Sequence, residues 1–236
     1  MLKLQTAPSG FNLQPTQVII LRNQTLKRKL AQTAMLGPGN IYRTMDSSAM
    51  AIFLSDLEPH KRLQRIIQLE QDANVRTKQY MASFPIASTF LMGEGQIATI
   101  MKQIATDVMS PVQPMPSIDN VKSWSYKNTS LVAQTFVLAA TSHGLDTCLM
   151  EGFDDRRVKD VLRIPDRYGV PLVCCVGYEY KKSDSENDDQ IEKKRTPRLN
   201  PNEVFFGDTF GSELILDDSN DTKTNEDDDD AAVKAL

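Results

Sequence analysis

The chain has 236 residues, 40% of them hydrophobic and 25% charged, with a formal net charge of −4. That composition is that of an ordinary globular protein of one or two domains, and the apolar runs around Phe136–Ala140 and Val170–Val176 are far shorter than the ~18–20 residues of a membrane span. The charge is unevenly placed: from Asp217 onward eight acidic residues face only Lys223 and Lys234, so a tail of −6 follows a body of +2.

In chain order, Ala7 to Pro15 is rich in turn formers and reads as a loop. Val18–Leu21 is a short apolar run expected to be a buried strand. Thr25 is placed to cap a helix running to about Thr33, and Gly37-Pro38-Gly39-Asn40 is expected to break it. Ala49–Leu54 reads as a second buried strand. A helical stretch is expected from His60 to about Met81, and Ile97, Ile100, Met101, Ile104 and Val108 recur at helical spacing as one amphipathic face. The prolines between Ser110 and Asp119 mark a loop. From Asn128 a helix places Leu131, Leu138 and Leu145 beside Val132, Phe136 and Ala140, enough apolar surface for a central, nearly surrounded helix. Gly144 suits the position just past its C-terminus. Leu145–Met150 is a strand, Asp154 an N-cap with Phe153 and Val158 as a hydrophobic staple, and Val170–Val176 another buried strand. Residues 181–192 form a polar excursion, expected to be mobile, and 217–236 an acidic tail expected to be disordered. The basic knot Lys193-Lys194-Arg195-Thr196-Pro197-Arg198 precedes an apolar arm at Val204–Phe206.

Helices and short strands without regular βαβ alternation indicate an α+β fold, with a main domain over 1–216. No GxGxxG or GxxxxGK[ST] loop occurs, so a dinucleotide-binding fold of that kind is not expected. Cys148, Cys174 and Cys175 lie in apolar strand-like segments and read as buried reduced thiols, the last two on opposite faces. With His60 and His143 they make no familiar metal-ligand spacing, and no catalytic triad or carboxylate pair is visible.

One collinear set of motifs stands out. Ala7-Pro-Ser-Gly-Phe-Asn-Leu-Gln-Pro15, Gly39-Asn40 with Arg43 three residues on, Trp124-Ser-Tyr-Lys127, His143-Gly-Leu-Asp146, Met150-Glu-Gly-Phe-Asp154 and Arg195-Thr-Pro-Arg198 followed by Glu203-Val-Phe-Phe206 together resemble the flavin-dependent nitroreductase family from about Ala7 to Gly211. The resemblance implies a mixed or antiparallel central sheet flanked by helices and an FMN-dependent homodimer with interface flavin sites. It implies hydride transfer from NADH or NADPH to a nitroaromatic, quinone or related acceptor, expected to follow a ping-pong mechanism. A cytoplasmic location, with no nucleic-acid or membrane partner, is expected separately, because no targeting signal or membrane span is visible in the sequence. Asn40 and Arg43 inherit contacts to the N1/C2-carbonyl edge of the flavin, where negative charge grows on reduction. Glu151 and Gly152 inherit the backbone contact at N5, although a strand-to-helix turn alone would also account for them. Ser9 and Asn12 match positions that reach the partner's flavin, or they cap their own turn. Lys193, Arg195 and Arg198 are phosphate candidates; Phe11, Trp124 and Lys127 are substrate-side candidates, or core and surface residues.

Two departures from the family pattern are visible. The chain is expected to lack the family's N-terminal arginine-rich FMN phosphate segment, and Thr16 stands where the family has tryptophan. The competing expectation is a catalytically silent relative with weak or no FMN binding, acting as an interaction or regulatory partner.

Overall fold

The structure is a computed structural model that describes residues 6–77, 79–84, 96–115, 120–178 and 196–214. These fall into two compact units, 6–178 and 196–214; 181–192 and 217–236 lie outside the described residues.

Among the described residues four strands form one sheet in the order β1-β2-β4-β3, with every neighbouring pair antiparallel. They are β1 (Thr16–Leu21), β2 (Ala49–Asp56), β3 (Asp146–Met150) and β4 (Tyr168–Gly177). The two central strands, β2 and β4, carry the most continuous apolar sequence because both of their faces are covered. On one face Met50, Ile52, Leu54, Val173 and Cys175 pack with Leu30 and Ala34 of α1 (Gln24–Ala34), Ile41 of α2 (Gly37–Asp46) and Val158 of α7 (Asp155–Leu162). On the other, Ala51, Phe53, Leu172 and Cys174 meet Val132, Ala133, Phe136 and Val137 of α6 (Val121–Thr141). Strand alternation thus sends Cys174 and Cys175 to opposite cores, as expected. Phe53 and Phe136 meet edge-on with centroids 5.6 Å apart, a geometry that adds about 0.5–1.5 kcal/mol to simple burial.

Helix α6 is also tied to the sheet by polar contacts. The Ser125 hydroxyl donates to the Asp56 carbonyl at 2.7 Å, and that of Thr129 to Ser55 Oγ at 3.0 Å. Thr16, at the position where the resemblance leads one to expect tryptophan, shares a 3.1 Å hydroxyl contact with Thr129.

The α+β class and antiparallel sheet agree with the sequence reading; several boundaries do not. Helix α1 is capped by Asn23, whose side chain accepts from the Leu26 amide at 3.0 Å, not by Thr25. Gly37-Pro38-Gly39-Asn40 does not merely end α1 but opens α2: Gly37 adopts φ +74° and Pro38 falls in the first turn, where its missing N–H is no loss. The expected long helix from His60 is broken. A 3-10 turn (Pro59–Arg62) leads into α3 (Leu63–Asp72), which stops at Asn74 with φ +52°, and α4 (79–84) follows. Leu131 and Leu138 of α6 are exposed, so among the described residues this helix is not surrounded on all sides. In α5 (Gln96–Met109) Ile100, Met101, Ile104 and Val108 are exposed while Lys102 and Thr106 are buried, so the apolar stripe faces away from the chain's own core.

The local signals around β3 hold. Gly144 has φ +70°, its amide donates to Thr141 and the Leu145 amide to Ala140, the bond pattern of a Schellman ending. Asp154 caps α7 by accepting from the Arg157 amide at 3.1 Å, and Phe153 and Val158 join the same core. In the second unit, Asn200 caps a short 3-10 turn (Pro201–Glu203) with a capping box, Val204 and Phe205 are exposed, and Phe206 packs on Phe210 at 4.8 Å.

Candidate functional site

The end of β3 and the start of α2 meet. Past Met150 the chain turns through Glu151 and Gly152 into the cap of α7. The Gly152 carbonyl accepts two hydrogen bonds, from the Leu36 amide at 2.9 Å and from Asn40 Nδ2 at 3.1 Å. A bridge between Met35 and Phe153, and a 2.8 Å bond from the Asp154 amide to the Ala34 carbonyl, fasten the α1–α2 junction to the same turn. One turn further along α2, Arg43 Nη1 donates to Asn40 Oδ1 at 3.2 Å.

Glycine at position 152 leaves room for the Asn40 side chain. A Cβ on Gly152 would stand 2.3 Å from Asn40 Nδ2, so the amide occupies the space a side chain would need. Asn40 is therefore oriented at both ends, its Nδ2 by a backbone carbonyl and its Oδ1 by a guanidinium. Arg43 and Glu151 are exposed and Asn40 and Gly152 half-buried, leaving this polar ridge open to a ligand. Four of the residues proposed from sequence are thus assembled from segments over 100 positions apart.

The other sequence candidates are placed differently. Ser9 Oγ accepts from the Gln14 amide at 3.0 Å, and Asn12 Nδ2 donates to Glu70 Oε1 at 2.9 Å, so both brace their own loop. That loop carries positive φ at Phe11, Asn12 and Gln14, a conformation non-glycine residues keep only when their surroundings enforce it. Arg62 Nη1, donating to the Gln14 carbonyl at 2.7 Å, and Asn128 Oδ1, accepting from the Gly10 amide at 2.8 Å, supply the enforcement. Phe11 and Trp124 pack in a core cluster with Leu13, Leu63, Ile66 and Phe84, and the Trp124 ring lies so close over Gly10 that a Cβ there would come within 2.9 Å. Lys127 is exposed on α6. In the second unit Arg198 donates to the nearby Thr196 and Pro197 carbonyls, at 3.4 Å each. Lys193 and Arg195 lie outside the described residues.

Two polar nodes had no signal in the sequence. Asp56, fully buried at the end of β2, receives a fork from Arg167 (2.7 and 2.6 Å), a bond from Arg62 Nε (2.8 Å) and the Glu58 amide (2.9 Å). Burial alone would raise its pKa, but the Arg167 hydrogen bonds, the Glu58 amide and the charges of Arg62 and Arg167 prevail and hold it below the ordinary aspartate range. The second node lies under α2, where the fully buried Lys27 donates to the Ser47 carbonyl. Its amine is lowered in pKa by desolvation, only partly opposed by Cys175 and Asp46.

An open cavity of about 680 Å³ runs beside β1, lined by Ser9, Gln14, Thr16, Ile19, Arg62 and Val132 among others; none of Asn40, Arg43, Glu151 and Gly152 borders it. Among the described residues no group of histidine, cysteine and acidic side chains is arranged to hold a metal ion, and no helix is long and apolar enough to cross a membrane.

Comparison with known proteins accords with this geometry. The family model described as "Nitroreductase family" matches residues 117–178, the stretch that contains α6, β3, the Glu151-Gly152 turn, α7 and β4. The Bacillus subtilis (strain 168) protein MhqN, by name a candidate NAD(P)H nitroreductase, is 29% identical over 178 residues, covering 75% of this chain and 74% of its own. The crystal structure of a candidate nitroreductase, ydfN of Bacillus subtilis, matches at 26% identity with a TM-score of 0.61 over 86% of this chain and 82% of that one. A candidate nitroreductase from Exiguobacterium sibiricum 255-15, solved in complex with FMN, shares the fold at 17% identity with a TM-score of 0.59 over 86% and 81% of the two chains. Sequence and fold thus place this chain's similarity with the nitroreductase family: its model matches residues 117–178, and relatives named for that activity align along most of the chain.

Proposed function

We propose that this protein is an FMN-dependent oxidoreductase that moves a hydride from NAD(P)H to a nitroaromatic, quinone or related acceptor by a ping-pong route. The observation that carries the reading is the junction of Asn40, Arg43, Glu151 and Gly152. These groups suit a flavin ring: an amide and a guanidinium offer donors to an edge that becomes electron-rich, and a turn without a Cβ lets a ring approach backbone. When bound, FMN would supply the redox chemistry itself. The chain's own part is to bind and orient. Arg43 holds the Asn40 amide in one orientation, and the doubly anchored Gly152 carbonyl fixes the turn against which a ring would rest. Preorganisation of this kind stabilises developing charge without rearrangement during the reaction. The FMN complex of the Exiguobacterium relative supports the choice of cofactor.

The exposed apolar residues Leu131 and Leu138, seven apart on α6, support a homodimer in which a second copy covers that face. Arg195, Lys193 and Arg198 stand as the cationic candidates for the cofactor phosphate.

The test is steady-state oxidation of NADH and NADPH with a quinone and a nitroaromatic acceptor in the presence of FMN. Parallel double-reciprocal lines support the ping-pong route, with Asn40→Ala and Arg43→Ala weakening FMN binding. Absence of flavin-dependent oxidation with either nucleotide would overturn the reading.

A further inference from the structure

Cys148 and Cys175 stand directly opposite each other on the antiparallel strands β3 and β4. Both contribute to the same core, on the α1/α2/α7 side, whereas Cys174 belongs to the opposite one. Directly opposed antiparallel residues have Cα atoms about 4.5 or 5.5 Å apart, and either spacing lies inside the roughly 4.4–6.8 Å range of disulfides. Both thiols are free in this structure, Cys148 partly exposed on the edge strand and Cys175 buried. We propose that Cys148 and Cys175 form a reversible redox pair that closes to a cross-strand disulfide under hydroperoxide.

The asymmetry of the pair sets the order of events. Cys148 is the thiol an oxidant can reach. Its sulfur attacks the peroxide O–O bond, taking one oxygen to become a sulfenic acid as the first water leaves. The Cys175 sulfur then attacks that sulfenic sulfur. The S–O bond breaks, the S–S bond forms, and the Cys175 proton leaves with the hydroxyl as a second water. In total two thiols are oxidised and one hydrogen peroxide is reduced to two waters. Burial pushes the Cys175 thiol up in pKa, which further favours Cys148 as the first to react.

The pair sits where a crosslink acts on the junction described above. Cys148 precedes Gly152 by four residues, with Met150 the last paired residue of β3. The Cys175 thiol lies beside the hydroxyls of Thr44 and Ser47, and Thr44 directly follows Arg43 in α2. Thr44 is fully buried beside this thiol, so a change of the thiol's partner alters the surroundings of its hydroxyl. Closing the disulfide therefore draws on both sides of the Asn40–Gly152 contact. The pair's chemistry stands whether or not FMN binds, so its test is separate from that of the proposed activity.

The full chain is treated with dilute hydrogen peroxide, alkylated, digested and weighed, alongside C148S, C175S and C174S variants checked for folding by circular dichroism. Wild type and C174S are expected to lose two hydrogens and yield one linked peptide pair containing Cys148 and Cys175, reversed by dithiothreitol. C148S, altered at the half-exposed position, is expected to yield none. A link through Cys174, or oxidation of Cys148 to the sulfinic acid with no link, would overturn the pair. Hydrogen exchange reads the coupling: the Leu36 amide, bonded to Gly152, is expected to change at least tenfold in rate on oxidation in wild type and not in C148S. An unchanged rate in crosslinked wild type would overturn the link to the junction.

Discussion

The side-chain amide of Asn40 donates to the carbonyl of Gly152 at 3.1 Å, across 112 positions of sequence, and fills the space where a Cβ on residue 152 would be. This contact joins the helix that follows one edge of the core to the turn that leaves β3, and it does so with a group suited to meeting a ligand.

Gly152→Ala forces that Cβ to 2.3 Å from the amide. Overpacking of this kind destabilises by about 1–3 kcal/mol, and displacing Asn40 is expected to weaken FMN binding about tenfold or more. In an Asn40→Ala background the added methyl meets no amide, so the stability loss from Gly152→Ala is expected to shrink. A double-mutant cycle by denaturant unfolding, with FMN titration of each variant, reads both effects.

Asp56→Ala leaves Arg62 and Arg167 without their buried carboxylate, and losing one partner of such a network costs about 3–5 kcal/mol. The pH dependence has a definite sign. The folded-state pKa of Asp56 is depressed, so its stabilisation is complete above the unfolded-state value of about 3.9. It diminishes as pH falls below that and is gone once pH passes the lower folded-state value. Acid-unfolding curves of wild type and Asp56→Asn are expected to converge in that window and to separate above it.

Lys27→Met exchanges a buried amine for an apolar chain of similar reach. Because burial lowers the folded-state pKa of Lys27, the unfolded chain holds a proton more tightly than the folded one, up to its own value of about 10.4. Wild-type stability therefore gains from this group as pH rises from the depressed folded-state value toward that limit. The variant is expected to lose this slope and to fold within about 1–2 kcal/mol of wild type at neutral pH, relief from desolvation offsetting the lost bond to Ser47. Thermal melts across alkaline pH measure the slope.

Thiol labelling is expected to rank the cysteines by burial. Burial pushes Cys174 up to about 12 and raises Cys175 as well, whereas Cys148 is partly exposed. Alkylation of the native, reduced protein at pH 8 is expected to modify Cys148 first and leave Cys174 untouched until unfolding.

Much of this arrangement was legible in the residues because local chemistry dictates it. Apolar runs in β2 and β4 report coverage on both faces, Gly144 reports a left-handed helix ending, and Asp154 with Phe153 and Val158 reports a capped, stapled helix. The association of Asn40 and Arg43 with Glu151-Gly152 came from motif resemblance, because no periodicity links residues so far apart. What escaped was decided by tertiary contacts. The start of α2 at Gly37 depends on Leu36 bonding to the Gly152 carbonyl, which a Gly-Pro-Gly string does not reveal. Asp56 falls in the turn expected after Leu54 and gives no sign of burial until Arg167, 111 positions on, folds back onto it. Nothing in the sequence marks Lys27 for burial; it is the loop after α2 that brings the Ser47 carbonyl over it.

The most direct measurement is the visible absorbance spectrum of the purified protein, taken before and after adding FMN and dialysing, and again after adding NADH or NADPH. The account requires flavin bands that survive dialysis, bleach with a nicotinamide nucleotide and return with a quinone, and that weaken in Asn40→Ala. A folded, colourless protein that retains no FMN would contradict it.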